Sequence, residues 1–352
     1  MKKLTIGFPC YDDYDGIYFS AQALRMYHAE ALKQCELLIV DNNPTSDQGQ
    51  ATKKFAHARG IKYVPFSDST GPANTKNKVF EEATTDYVLC ADSHVLFETG
   101  SLDKLLSYYN SNPDTPDLLQ GPLVYDCLQS ISTHFKEGWS GGMYGTWATD
   151  ERGKDPDGEP FEIPMQGMGL FSATRKKWLK FNKNFYGFGA EEGYIHEKYR
   201  QAGHQTLCLP FLRWVHRFDR PSGVPYPLNL EDRVRNYFIG FKELGKDPQE
   251  IIAHFEKEAP HMDACLILKQ LEDGGYSEKK IGTQPGDQWT IDKALPTAKG
   301  SSLTSCIKFN EPGFFRYLRL EFFSDAVVSR VALPPTPTDN KPYIFSVQGV
   351  GG

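Results

Sequence analysis

Four short apolar runs recur within the first hundred residues: Leu4–Pro9, Glu36–Val40, Ile61–Pro65 and Tyr87–Ala91. Each is too short for a helix of ordinary length and is bounded by polar turns, so each reads as a strand. The intervening segments have the length and spacing of helices. Ile17, Ala21, Leu24 and Ala31 mark one face of a helix over about 17–33. Gly71-Pro72 introduces another that runs to about Ala83. Strand–helix alternation of this kind predicts an α/β fold, a mostly parallel doubly wound sheet with helices on both faces.

The fourth run ends in Asp92-Ser93-His94. Residues two apart on a strand share a face, so the carboxylate and the imidazole can reach a common point. Open α/β sheets bind ligands outside the carboxyl ends of their strands. One carboxylate oxygen and one imidazole nitrogen there suit a divalent cation such as Mn2+.

The middle of the chain is less regular. Residues 138–160 are rich in Gly, Trp, Asp and Pro and read as a long surface excursion. Pattern returns at Gly167–Ser172 and continues to His216, with a helix-like stretch from Tyr194 to Gln201 and a strand at Thr206–Leu209. Val234, Phe238, Phe241 and Leu244 make 231–258 helical by spacing. After about residue 275 Gly and Pro punctuate short β-prone runs, which predicts a catalytic part over 1–274 and a small β-rich C-terminal appendage over 275–352. Seven cysteines without a paired framework point to buried thiols in a reducing compartment. No segment approaches transmembrane length, so a cytoplasmic protein is expected. The net charge of −6 argues against sequence-independent binding of nucleic acid.

Four segments, taken in order, resemble a known family. They are Asp92-Ser93-His94, Met168-Gly169-Leu170-Phe171, Phe188-Gly189-Ala190-Glu191-Glu192, and Pro210 through Arg213 to His216. Together they resemble the GT-A glycosyltransferases, most nearly the polypeptide N-acetylgalactosaminyltransferases and more loosely the family-2 enzymes. The stretch from Glu191 to His216 lies down on that pattern without a gap. Phe188 stands where the pattern has Trp, and Ala190 where it has a second Gly.

The resemblance implies a metal-dependent transferase that takes a sugar from a UDP-sugar donor to an unidentified hydroxyl acceptor. Asp92, His94 and His216 would hold Mn2+ or Mg2+. Lys76, Arg213 and Arg217 would offset phosphate charge, and Gly169 would allow close approach of the backbone to the donor. Tyr11, Asp12 and Asp41 follow the first two strands, where such enzymes contact base and ribose. Asp41 also has a local alternative, an Asx turn with Asn42-Asn43-Pro44. Glu191 and Glu192 would either bind the donor sugar in a retaining reaction or deprotonate the acceptor in an inverting one. Two further functions remain open on these residues: a non-catalytic nucleotide-sugar or carbohydrate-binding protein, and glucosylation of a modified DNA base.

Overall fold

The structure is a computed structural model. It describes residues 2–218, 223–260 and 262–274 together with four short strand segments nearer the C-terminus. The chain divides into two compact units, residues 1–279 and 280–352.

In the first unit, β1 (Leu4–Cys10) leads into α1 (Tyr14–Tyr27) and a single turn, α2 (Ala29–Leu32). The helix expected over 17–33 is thus two pieces, because His28 leaves the helical conformation at φ −127°. Then come β2 (Cys35–Asp41), α3 (Asp47–Arg59), β3 (Lys62–Pro65), α4 (Pro72–Glu82), β4 (Tyr87–Ala91), β5 (Val95–Phe97) and α5 (Ser101–Ser111). The central part contributes β6 (Leu118–Gln120), β7 (Leu123–Val124), β8 (Ile131–Ser132), β9 (His134–Ser140), β10 (Met143–Ala148), β11 (Phe161–Glu162) and β12 (Leu170–Thr174). The rest is α6 (Glu191–Gln201), β13 (Thr206–Cys208), β14 (Trp214–His216), α7 (Leu230–Leu244), α8 (Gln249–Glu258) and α9 (Ala264–Glu272).

The main sheet has the order β11-β13-β6-β12-β4-β1-β2-β3. β1 lies between β2 and β4, parallel to both, and β3 is parallel to β2. β12 enters antiparallel between β4 and β6. Sheet alternation divides the core in two. Along β4, Tyr87, Leu89 and Ala91 join the cluster under α1, α3 and α5. Val88 and Cys90 join the cluster under α4 and α6. Strands buried on both faces explain why these runs read as continuously apolar. A second sheet, β5-β14-β7-β8, sits at the carboxyl end of β4.

The structure adds detail to two sequence readings. The surface excursion expected over 138–160 carries a hairpin in its first half, β9 paired antiparallel with β10. Its aromatic residues Phe135, Trp139, Tyr144 and Trp147 pack in edge contacts with each other or with α7 and α8. Residues 231–258 form two helices. Gly245 adopts φ +66° and ends α7, and Pro248 begins α8. Among the cysteines, Cys10, Cys35, Cys90 and Cys208 are buried, whereas Cys127 and Cys265 are exposed. Among the described residues, no helix is long and apolar enough to cross a membrane.

The boundary expected near residue 275 falls where continuous description ends, and most of the β-prone runs expected beyond it lie outside the described residues. In the second unit, Leu295–Thr297 pairs antiparallel with Thr304–Cys306, and Val331–Ala332 with Ile344–Phe345.

One close approach fixes how α4 lies on the sheet. A Cβ added to Gly7, in the middle of β1, would overlap the Val79 side chain of α4. Gly7→Ala is therefore expected to destabilise the fold by about 1–3 kcal/mol through overpacking. Urea unfolding monitored by tryptophan fluorescence checks this, and an unchanged midpoint would mean that α4 can slide on the sheet.

Candidate active site and metal centre

Asp92 continues β4 by one residue. Its N–H donates to Gly169 O at 2.8 Å, just beyond the β4–β12 ladder. A Cβ at Gly169 would lie 3.0 Å from the Trp214 ring and 3.2 Å from Asp92 Oδ2, so the glycine allows this approach. β14 pairs antiparallel with β5, with His216 opposite Val95. This register carries His216 Nε2 to 3.2 Å from His94 Nε2 and 3.8 Å from Asp92 Oδ2. One ligand atom from each of Asp92, His94 and His216 lies within 4.8 Å of the other two.

The donor set is one carboxylate and two imidazoles, which suits a divalent cation of the Mn2+ type. The protonation pattern agrees. His94 Nδ1 is 2.6 Å from Asp13 Oδ2, so Nδ1–H donates to the carboxylate and the Nε2 lone pair is left facing the cluster. The residues present therefore fit a bound cation.

Next to this cluster lies a buried charge group. Lys76, on α4, is only 3% exposed. Its Nζ stands 3.8 Å from Asp92 Oδ1 and 4.0 Å from Glu191 Oε1. Burial disfavours its ammonium form, but Asp92 and Glu191 outweigh that and raise its pKa. Burial likewise opposes ionisation of Asp92. Lys76, with help from the two histidines, more than offsets this and holds the carboxyl well below the usual range. Glu191 and Glu192 open α6 and are 2% and 7% exposed. Burial raises both, and the Glu191 charge pushes Glu192 further, to about 8.

The turn that presents these glutamates is constrained. Ala190 caps α6 at φ +79°, a left-handed conformation uncommon for alanine. Gly189 sits at φ +105°, and a Cβ there would lie 2.6 Å from Arg233 Nε. Arg233 donates from Nη1 to Gly142 O at 3.1 Å and lies over the Phe188 ring at 5.4 Å. Phe188, which stands where the resembled pattern has Trp, is thus in contact with a cation from α7.

Tyr11, Asp12 and Asp41 gather at the carboxyl ends of β1 and β2. Tyr11 is half-buried. Asp12 accepts from Asn43 Nδ2 at 2.9 Å and from Ser46 Oγ. Asp41 is fully buried and forms the Asx turn: Asn43 N–H donates to Oδ1 at 3.0 Å, and Tyr63 O–H donates to Oδ2 at 2.8 Å. Arg217 N–H donates to His94 O at 3.3 Å, which places Arg217 beside the cluster. Arg213 is turned elsewhere. Its guanidinium donates to the carbonyls of Gly153 and Lys154 at 3.2 and 2.6 Å. With Val215 it lines a separate cavity of about 940 Å3 behind β14.

Sequence reading missed Asp13 and Arg233. Asp13 had a signal, since an aspartate just before an apolar helical pattern is a strong N-cap candidate. Its contact with His94 spans 81 positions and leaves no local trace. Arg233 was one of two arginines on a helical stretch and carried no signal of its own.

The sheet order is that of the GT-A fold, with the Asp-x-His at the end of a central strand and the distant histidine brought beside it. The sequence profile of glycosyl transferase family 2 matches residues 5–177, which include β1 to β12 and amount to just under half of the chain. This part of the chain is similar to family 2 glycosyltransferase domains. Among solved structures, GalNAc-T7 with UDP, GalNAc and Mn2+ superposes at a TM-score of 0.55 and 12% identity, covering 78% of this chain and 54% of that one. The chain thus spans about half the length of that enzyme. A mannosyltransferase from Pyrobaculum calidifontis with GDP-Man and Mn2+ gives 0.45 and 14%, covering 77% of this chain and 73% of its own. TarS from S. aureus gives 0.45 and 14%, with 73% of each chain covered. No curated protein sequence matches.

Two outcomes test the buried charge group. Lys76→Met leaves Asp92 and Glu191 without their shared cation and is expected to cost about 3–5 kcal/mol in urea unfolding. Adding Glu191→Gln should recover part of that loss. Additive effects would show that the pair is not coupled.

Glu192 gives a pH dependence. Its pKa rises from 4.5 to about 8 on folding, so the folded state holds the extra proton between these values. Stability is therefore full near pH 4.5 and falls as pH rises towards 8. Glu192→Gln should flatten that slope in thermal melts of metal-free protein. Parallel wild-type and variant curves would contradict it.

Proposed function

We propose that the protein is a divalent-cation-dependent hexosyltransferase that moves a sugar from a UDP-sugar to a hydroxyl acceptor. One observation carries the reading: Asp92, His94 and His216 converge at the carboxyl end of the sheet beside a buried lysine and two buried glutamates. Those three residues would hold Mn2+ or Mg2+, which would supply charge neutralisation for a departing diphosphate. The same-fold GalNAc-T7 structure holds UDP, GalNAc and Mn2+, which supports this choice of ligands.

Each residue then has a defined task. Lys76 keeps its proton because Asp92 and Glu191 surround it, and so offers a fixed positive charge where phosphate charge develops. Arg217, beside His94, adds a second cation. Gly169 leaves room beside Asp92 for a ligand to approach the backbone. Tyr11, Asp12 and the turn built on Asp41 border the nucleoside. Arg213 braces the turn at Gly153 and Lys154.

Glu191 and Glu192 stand at the start of α6, where free N–H groups and carboxyl groups together can hydrogen-bond sugar hydroxyls. A carboxyl that retains its proton can donate as well as accept. Donor binding by this turn goes with retention at the anomeric centre, the expectation raised by the unbroken pattern from Glu191 to His216.

The test is a panel of UDP-sugars assayed for hydrolysis and transfer with and without Mn2+. Metal-dependent turnover of one donor is expected. Asp92→Ala and His216→Ala should each lower it by more than roughly a hundredfold while leaving the melting temperature nearly unchanged. Nucleotide-sugar binding without turnover, at every acceptor tried, would instead identify a binding protein. NMR of the product anomer reads the stereochemistry.

A further inference from the structure

The loop after β1 meets the metal motif through one carboxylate. Asp13 is 8% exposed and caps α1, accepting from Gly16 N–H at 3.2 Å through Oδ1. Its other oxygen, Oδ2, accepts from Ser93 O–H at 2.5 Å and from His94 Nδ1–H at 2.6 Å. A Cβ on Gly16 would overlap the Asp13 carboxyl, so the glycine keeps that space open. The adjoining contact has the same direction: Ser20, one turn along α1, donates from Oγ to Ser93 O at 2.8 Å. The first turns of α1 thus grip Ser93 from both its side chain and its carbonyl.

We infer that Asp13 is a positioning residue that locks His94 as the Nδ1–H tautomer, so that its Nε2 lone pair faces Asp92 and His216. A ring nitrogen 2.6 Å from a carboxylate oxygen must carry the proton, and a neutral imidazole then has its lone pair on the other nitrogen. Carboxylate partners of this kind fix the tautomer and orientation of metal-binding imidazoles and raise their basicity. The value of this tautomer to the protein rests on the cation-dependent reading above; the tautomer itself does not.

The substitution that isolates the effect is Asp13→Asn. With its carbonyl kept on Gly16 N–H, the amide presents NH2 to His94 Nδ1. That nitrogen must then accept, and the proton moves to Nε2, where it blocks a ligand bond. Asp13→Ser is the companion: it can still cap α1 but is too short to reach the imidazole.

Two measurements decide the matter. The first is the 15N NMR signature of the His94 ring in metal-free protein at about pH 8, above the ordinary imidazole range. Wild type should show Nδ1–H, and Asp13→Asn should show Nε2–H. The second is Mn2+ binding, followed by the EPR signal of the free ion. Both variants should bind roughly ten- to hundredfold more weakly than wild type, with melting temperatures close to it.

An Nε2–H or doubly protonated His94 in wild type overturns the inference, as does an unchanged tautomer or unchanged Mn2+ affinity in Asp13→Asn. If either variant fails to fold, the wild-type ring signature and the other variant still decide. Wild-type protein that shows the Nδ1–H tautomer, switches it in Asp13→Asn and binds no Mn2+ upholds the role of Asp13 and sinks the cation-dependent reading.

Discussion

The arrangement of the site depends on one buried cation. Lys76 reaches Asp92 on one side and Glu191 on the other, from a helix packed beneath the sheet. Asp92 belongs to the end of β4 and Glu191 to the start of α6, and the one ammonium lies within 4.0 Å of both. Without the ammonium, these carboxylates would meet at the edge of an apolar core, where ionisation is costly. With it, Asp92 is held ionised, while Glu191 and Glu192 are pushed the other way. Neighbouring carboxylates at similar distances from one lysine thus acquire opposite tendencies, because the glutamates are more deeply buried and Asp92 also faces the two histidines.

The imidazoles are governed by topology. His94 follows from the strand end, but His216 arrives through the antiparallel pairing of β14 with β5. That second sheet is short, and its register is what puts two Nε2 atoms 3.2 Å apart. A slip of one residue would turn His216 to the face where Arg213 and Val215 lie, because side chains alternate along a strand. Trp214, buried on the same side as His216 and donating from Nε1 to Gly121 O at 2.9 Å, opposes such a slip. The aromatic is therefore part of how the site is built, although it supplies no ligand.

The strands that were clearest in the sequence are those buried on both faces, β1, β2 and β4, since continuous apolar runs of that length have few other fates. Readings failed where the local signal was ambiguous. The hairpin of β9 and β10 is rich in Gly, Trp and charged residues, and only its packing on α7 and α8 shows why those aromatics are there. The break between α7 and α8 was visible in Gly245 and Pro248, but the apolar periodicity on either side concealed it. Among the site residues, Asp92, His94 and Gly169 could be located from strand ends. Arg213 had the right spacing in the motif, yet its side chain leaves on the other face of β14.

The sequence by itself determined the alternation of strands and helices, the Asp-x-His at a strand end, and the paired glutamates at a helix start. Those follow from periodicity and from local backbone chemistry, which act over a few residues. Tertiary structure alone decided that Lys76 sits between Asp92 and Glu191, that His216 faces His94, and that Asp13 rather than Asp12 touches the metal motif. Apart from Lys76 with Asp92, these are contacts between residues 81 to 122 positions apart, such as His94 with Asp13 and with His216. Their geometry is set by register and by which face of a strand or helix each side chain leaves. A local pattern cannot encode that choice, because it is made by everything the element packs against.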